Sequence, residues 1–107
     1  AALNDGLFFD LMYANYENRN FRSDKLFAYI RKYHKEAIFI IANFSDCILE
    51  TSTIIPEHAF EYLDLEEGTF KAKELITGKH STISLKKNQA FESTIPAWSA
   101  ALLKINL

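Results

Sequence analysis

A single cysteine, Cys47, stands among 107 residues. It has no intramolecular disulfide partner, and no grouping of cysteine and histidine has the spacing of a zinc site. Neither charge sign dominates: the formal net charge is −2, which leaves no basic footprint for nucleic acid. Long hydrophobic runs are missing too. The longest uninterrupted apolar stretch covers residues 37–42, far short of the roughly 20 that span a bilayer, so no membrane partner is expected. No charged-then-apolar leader opens the sequence. Glycine and proline are few (Gly6, Gly68, Gly78, Pro56 and Pro96) and fall where turns belong, between segments rich in β-branched and aromatic residues. There is no internal repeat and no low-complexity run.

What is present is the material of a core. Apolar residues make up 49% of the chain and aromatic residues 14%, which excludes intrinsic disorder. A folded chain of this length buries about two-thirds of its unfolded surface. One soluble domain over residues 1–107 is expected.

After the Asn4-Asp5-Gly6 turn signal, residues 7–13 (LFFDLMY) read as a first strand. Residues 14–24 hold Asn15, Asn18 and Asn20 with little apolar periodicity, and read as a polar loop. Residues 25–34 (KLFAYIRKYH) are apolar on both alternating faces, the pattern of a strand covered on both sides for part of its length. Residues 37–44 (AIFIIANF) are the most hydrophobic strand, and the short polar break before them predicts a hairpin. Residues 47–55 alternate like a half-buried strand near a sheet edge, with Cys47 as a small buried hydrophobe. Pro56 opens a helical turn over residues 56–63, in which Ala59, Phe60 and Leu63 share one face. Shorter strands at 69–73, 79–85, 90–95 and 98–105 follow in the rhythm of a sandwich. The expected fold is all-β: an antiparallel β-sandwich of about seven or eight strands, Greek-key type, with one short helical turn near 56–63. Phe27, Tyr29, Ile38, Ile40, Leu49, Ile83 and Leu102 are central in the strongest runs and are expected between the sheets.

Catalytic signals are sparse. His34, His58 and His80 lie on three separate segments without metal-ligand spacing, so neither a metal nor a cofactor is expected. No nucleophile elbow surrounds any serine. Glu57 and Glu61 are neighbours on one helix face and Glu66-Glu67 lies in a loop, so no acid and base oppose each other across a substrate. No catalytic residue is expected. Tyr16, Tyr62 and Trp98, at strand ends or loops, are candidates for stacking on a sugar. Asn43-Phe44-Ser45 matches the N-glycosylation acceptor pattern.

Taken in order, five segments resemble the C-terminal all-β domain of the alpha-amylase family of glycoside hydrolases, bacterial members in particular. They are 26–33 (LFAYIRKY), 39–45 (FIIANFS), 55–63 (IPEHAFEYL), 73–78 (KELITG) and 95–104 (IPAWSAALLK). In that pattern an aromatic-rich strand ending in Arg, here Arg31, leads to a strand closing on Asn43-Phe44-Ser45. A D-L-L-T-G turn follows, matched by Leu75-Ile76-Thr77-Gly78, with Lys73-Glu74 in place of the usual Asp. Pro96-Ala97-Trp98-Ser99 matches the segment that leads into the last strand. The similarity runs from about Asp5 onward, and residues 1–6 look like the tail of the last barrel helix.

The resemblance implies a fragment. The parent chain would carry its catalytic carboxylates on a (β/α)8 barrel N-terminal to this domain, so none is carried over to this sequence. The implied work is to pack on and stabilise that barrel; the alternative is a carbohydrate-binding module with its own affinity for starch-like alpha-glucans. Leu7, Phe8, Leu11, Tyr13, Tyr16 and Phe21, nearest the junction, are expected to face the barrel. Leu7 and Phe8 point to opposite faces of a strand, so one needs a neighbour outside the core. The barrel would supply it, or self-association of the fragment would. A lone cysteine fits the bacterial cytoplasm and the periplasm alike.

Overall fold

A computed structural model describes residues 6–107. The reading of residues 1–5 as a helix tail, with the first two residues of the Asn4-Asp5-Gly6 signal, lies outside the described residues. The elements in chain order are β1 (Leu7–Asp10), α1 (Met12–Asn15), β2 (Leu26–Tyr33), β3 (Glu36–Asn43) and β4 (Leu49–Ile55). Then come α2 (Glu57–Leu63), β5 (Gly68–Glu74), β6 (His80–Leu85), β7 (Gln89–Ile95) and β8 (Ala100–Asn106).

All pairings are antiparallel. The larger sheet has the order β1-β2-β3-β8-β5-β6, and the smaller is the pair β4-β7. The chain changes sheet after β3, β4, β6 and β7, and β8 returns between β3 and β5. This is the antiparallel sandwich that the alternation predicts, with α2 at the helical turn.

Two local devices shape it. The β2–β3 hairpin has no glycine; His34 takes the left-handed backbone instead, at φ 55. The first strand is shorter than expected, because Asp10 Oδ1 accepts the Met12 N–H at 2.7 Å and turns the chain into α1.

The polar stretch that follows is built rather than loose. Asn15 is fully buried; its Nδ2 donates to Ile54 O (3.0 Å) and its Oδ1 accepts the Ile54 N–H (2.7 Å). Asn18 Nδ2 donates to Ser52 O, and the Ser52 N–H donates to Asn20 O. Residues 15–20 thus pair with the edge of β4 as another strand would, closing an edge that would otherwise invite aggregation.

The core fills the space between the sheets. Ala28, Ile30, Phe39, Ile41, Ala101 and Ile105 enter from the larger sheet, and Ile55, Phe91 and Ile95 from the smaller. Leu11, Met12, Phe21, Ala59, Phe60 and Leu63 complete it.

This corrects the expected core. Of the seven candidates, Ile83 is buried in this cluster and Leu49 packs against it. Tyr29, Ile38, Ile40 and Leu102 form a separate cluster on the opposite face of the larger sheet, and Phe27 is exposed there. β2 and β3 are apolar on both faces, so alternation alone could not say which face met the small sheet. Cys47 is exposed rather than buried, because β4 begins only at Leu49 and leaves it in the preceding bend.

Candidate functional site

The outer face of the larger sheet is where the molecule departs most from a self-contained sandwich. Phe8 pairs with Arg31 across β1–β2, while Tyr29 pairs with Ile40, and Ile40 with Leu102, across β2, β3 and β8. Side chains opposite one another on a sheet share a face, so one apolar band crosses four strands. Its rings touch: Phe8 and Tyr29 centroids are 5.1 Å apart, and Phe27 and Tyr29 5.5 Å. On this face Phe8 and Phe27 remain 45% and 37% exposed, while Ile38 and Ile40 are buried among their partly exposed neighbours Tyr29 and Leu102. β2 was expected to be covered on both sides; the chain supplies a cover on one. At one end of the band Lys104 and Glu36 form an ion pair of 2.9 Å. Within the band, Arg31 Nε is buried with no hydrogen-bond partner.

The residues expected to face a barrel divide. Leu7, Phe8, Tyr13 and Tyr16 are exposed. Leu11 and Phe21 are not available: at 0% and 3% exposure both belong to the inter-sheet core. Leu11 still donates its N–H to Ala28 O next to β1, and two residues after Phe9 its side chain falls on the inward face.

The motif residues that carried the resemblance turn out to lock the two sheets together. Asn43 is 1% exposed, and its Nδ2 donates to the carbonyls of Cys47, Ile95 and Pro96. Its Oδ1 accepts from the Ser45 N–H and Oγ–H. The Trp98 N–H donates to Ser45 O, and the Asn43 N–H to Ser99 O. The folded chain therefore offers no free amide for a glycan at Asn43.

Glu74 ties the β5–β6 turn to β8. Its Oε1 accepts the N–H groups of Ile76 and Thr77, and its Oε2 accepts that of Leu102. Burial pushes the carboxyl up, but these backbone donors outweigh it and hold it below the ordinary 4.5. A lowered folded value stabilises the fold above the ordinary carboxylate range, and that gain is lost as pH falls through the folded value. Glu74→Gln is therefore expected to be less stable than wild type near neutrality, with the gap closing as pH falls below the ordinary 4.5 and through the folded value. Unfolding midpoints measured across that range check it.

The sugar-stacking candidates are exposed but not brought together. Tyr16 follows α1, Tyr62 lies on α2 against Phe9 (6.2 Å between centroids), and Trp98 lies in the β7–β8 turn. No ring contact joins any two of them. Among the described residues no group of three His, Cys, Asp or Glu side chains could hold a metal. Glu57 and Glu61 stand exposed on α2; Glu61 borders an open cleft with Asp10 and His58, and Asp10 Oδ1 is committed to the Met12 N–H.

No protein-family model and no curated protein matches the sequence. Solved structures do share the fold. A maltogenic alpha-amylase of Thermotoga neapolitana superposes with a TM-score of 0.68 at 13% identity, over 99% of this chain and 22% of its own. An Anoxybacillus alpha-amylase gives 0.60 at 17% identity, over 98% and 19%. Alpha-galactosidase I of Mortierella vinacea gives 0.60 at 15% identity, over 82% and 22%. The chain thus spans about a fifth of each of these glycoside hydrolases, and the described residues contain no catalytic barrel.

Proposed function

We propose that residues 1–107 are a non-catalytic C-terminal domain of an alpha-glucan-active glycoside hydrolase, packing on and stabilising the catalytic barrel of the same polypeptide. The observation that carries this reading is the uncovered apolar band of the larger sheet. The band is continuous over four strands, holds four aliphatic or aromatic residues packed as a cluster, and lacks only a second layer. Two-layer packing is the rule for such a face. The near-complete coverage by the alpha-amylases, against 82% for the alpha-galactosidase, supports the alpha-glucan class.

The docking face therefore moves from the N-terminal segment to the sheet beside it. Phe8 belongs to both; Phe27, Tyr29 and Leu102, over the buried Ile38 and Ile40, replace Leu11 and Phe21.

The test begins with the gene, whose upstream portion should encode a glycoside hydrolase barrel. The barrel and this chain, expressed separately, should then co-sediment. Phe27→Glu should abolish the complex while leaving the chain folded, and Ile48→Glu, at an exposed position outside the band, should not. A gene without such a barrel, or a complex indifferent to Phe27→Glu, overturns the reading. Self-association of the chain alone, removed by the same Phe27→Glu, is the outcome expected when the barrel is absent.

A further inference from the structure

The outer face of the larger sheet has a second character beside its apolar band. Strand register sets one row of side chains across all six strands: Phe8, Arg31, Ile38, Lys104, Lys73 and His80. Opposed residues share a face, so this row lies on the face of Tyr29 and Ile40, each two residues from a member of it. Lys71, two residues before Lys73, joins it. The remaining outward residues of β5 and β6 are Thr69, Thr82 and Ser84, so neither strand presents a carboxylate on this face. The face is apolar over β1–β3 and basic over β8 and β5.

The lysines are the informative members. Lys73 stands directly opposite Lys104, and like charges so placed destabilise a sheet. Glu36 pairs with Lys104 at 2.9 Å. Among the described residues no carboxylate forms an ion pair with Lys71 or Lys73, and both are exposed. The chain as a whole carries a net charge of −2, so this basic strip is a local segregation and not a general excess. Such a juxtaposition costs the chain alone and favours an anionic neighbour.

We infer that the basic half of this face meets an acidic surface: Asp or Glu side chains of the covering partner lie over Lys71 and Lys73, beside its apolar contact on β1–β3. The inference rests on the proposed docking of a barrel on this face. It adds the chemistry of the partner's contact surface and the way round that the partner sits, with its apolar part over β2 and β3 and its acidic part over β5.

A nucleic acid or an anionic lipid surface fits less well. Those partners call for a broad basic footprint, whereas here three lysines border an apolar band and one of them already has a carboxylate. Charges at the margin of an apolar contact act on association rate and orientation more than on affinity. The lysines are therefore orienting groups, and the apolar band remains the source of the binding energy.

The test mixes this chain with the barrel encoded upstream and follows the association rate. That rate should fall about tenfold between about 50 and 500 mM NaCl. Lys73→Glu should slow association about three- to tenfold at low salt and flatten the salt dependence. In the chain alone the same change removes the like-charge pair with Lys104, so the unfolding midpoint should hold or rise, a split that a merely structural role would not produce. Arg19→Glu, the same change of charge on the exposed segment along β4, should leave the rate within about twofold. Zero-length carbodiimide coupling of the complex should join Lys71 or Lys73 to an Asp or Glu of the barrel. A rate indifferent to salt and to Lys73→Glu, or coupling confined to other lysines, overturns the inference. So does recruitment of the chain to phosphatidylglycerol vesicles that Lys73→Glu abolishes while the barrel complex ignores that change. A complex lost with Phe27→Glu but indifferent to Lys73→Glu removes this inference alone; no complex at all removes the docking reading and this inference with it.

Discussion

Asn43→Ala is expected to cost about 3–5 kcal/mol of unfolding free energy, measured by urea denaturation of the chain. The reasoning is a count of groups left behind. Asn43 is 1% exposed, and its amide serves five partners: three carbonyls, of Cys47, Ile95 and Pro96, and the N–H and Oγ–H of Ser45. Truncation would strand several of them away from water, at about 1–3 kcal/mol for each buried group left unsatisfied. The contributions overlap, so the sum is not the expectation. Asn43 joins the end of β3 in one sheet to the end of β7 in the other, so its loss also loosens the crossing. Asn43→Asp separates the two halves of the amide. It keeps the acceptor for Ser45 and removes the donor to three carbonyls, so it should be destabilised nearly as much as Asn43→Ala. A loss below about 1 kcal/mol for both variants would mean that water replaces the amide, and the lock would be dispensable.

The same residue shows what was legible in the sequence. Asn43-Phe44-Ser45 and Pro96-Ala97-Trp98-Ser99 stood out as matched motifs 53 residues apart, yet nothing in their spacing says that they touch. The structure brings them together at hydrogen-bond distance, so the motifs mark a structural joint and not a site. Strand positions were legible because β-branched runs alternate with turn residues, as in β4 and β7. The face of each strand was not, where both faces are apolar. β3 is the clear case: Ala37, Phe39 and Ile41 face the core, and Ile38 and Ile40 face away, with no polar residue between to show the difference. Asn15, Asn18 and Asn20 were visible as a polar cluster, but that they bind the edge of β4 depends on a tertiary approach that local pattern does not encode. The inward direction of Ser93 had no sequence signal at all. A serine in an alternating strand reads as solvent-facing, and only the register against Thr51 turns it inward.

That ambiguity at β3 sets up a comparison between two adjacent residues. Phe39→Ala is expected to cost about 3–5 kcal/mol and Ile40→Ala about 2 kcal/mol or less in the chain alone. Phe39 is fully buried and meets Phe91 of the opposite sheet edge-on, with centroids 5.5 Å apart, so its ring is a direct bridge between layers. Removing it leaves a void walled by both sheets, which cannot close without moving one of them. Ile40 is 5% exposed, yet its neighbours Tyr29 and Leu102 are only partly buried side chains on an uncovered face. They can settle into the space that Ile40→Ala opens, and water can reach what remains. Urea denaturation of the two variants side by side reads the difference. The proposed packing on a barrel adds a second stage to the measurement. Once a partner layer covers the outer face, the void at Ile40 is closed over, and its cost should rise into the range of about 2–5 kcal/mol for a buried Ile→Ala change. Phe39→Ala should cost the same with or without the partner, because its surroundings are already complete. If Ile40→Ala already costs as much as Phe39→Ala in the isolated chain, the outer band is a finished core in its own right, and the case for a missing layer over it fails.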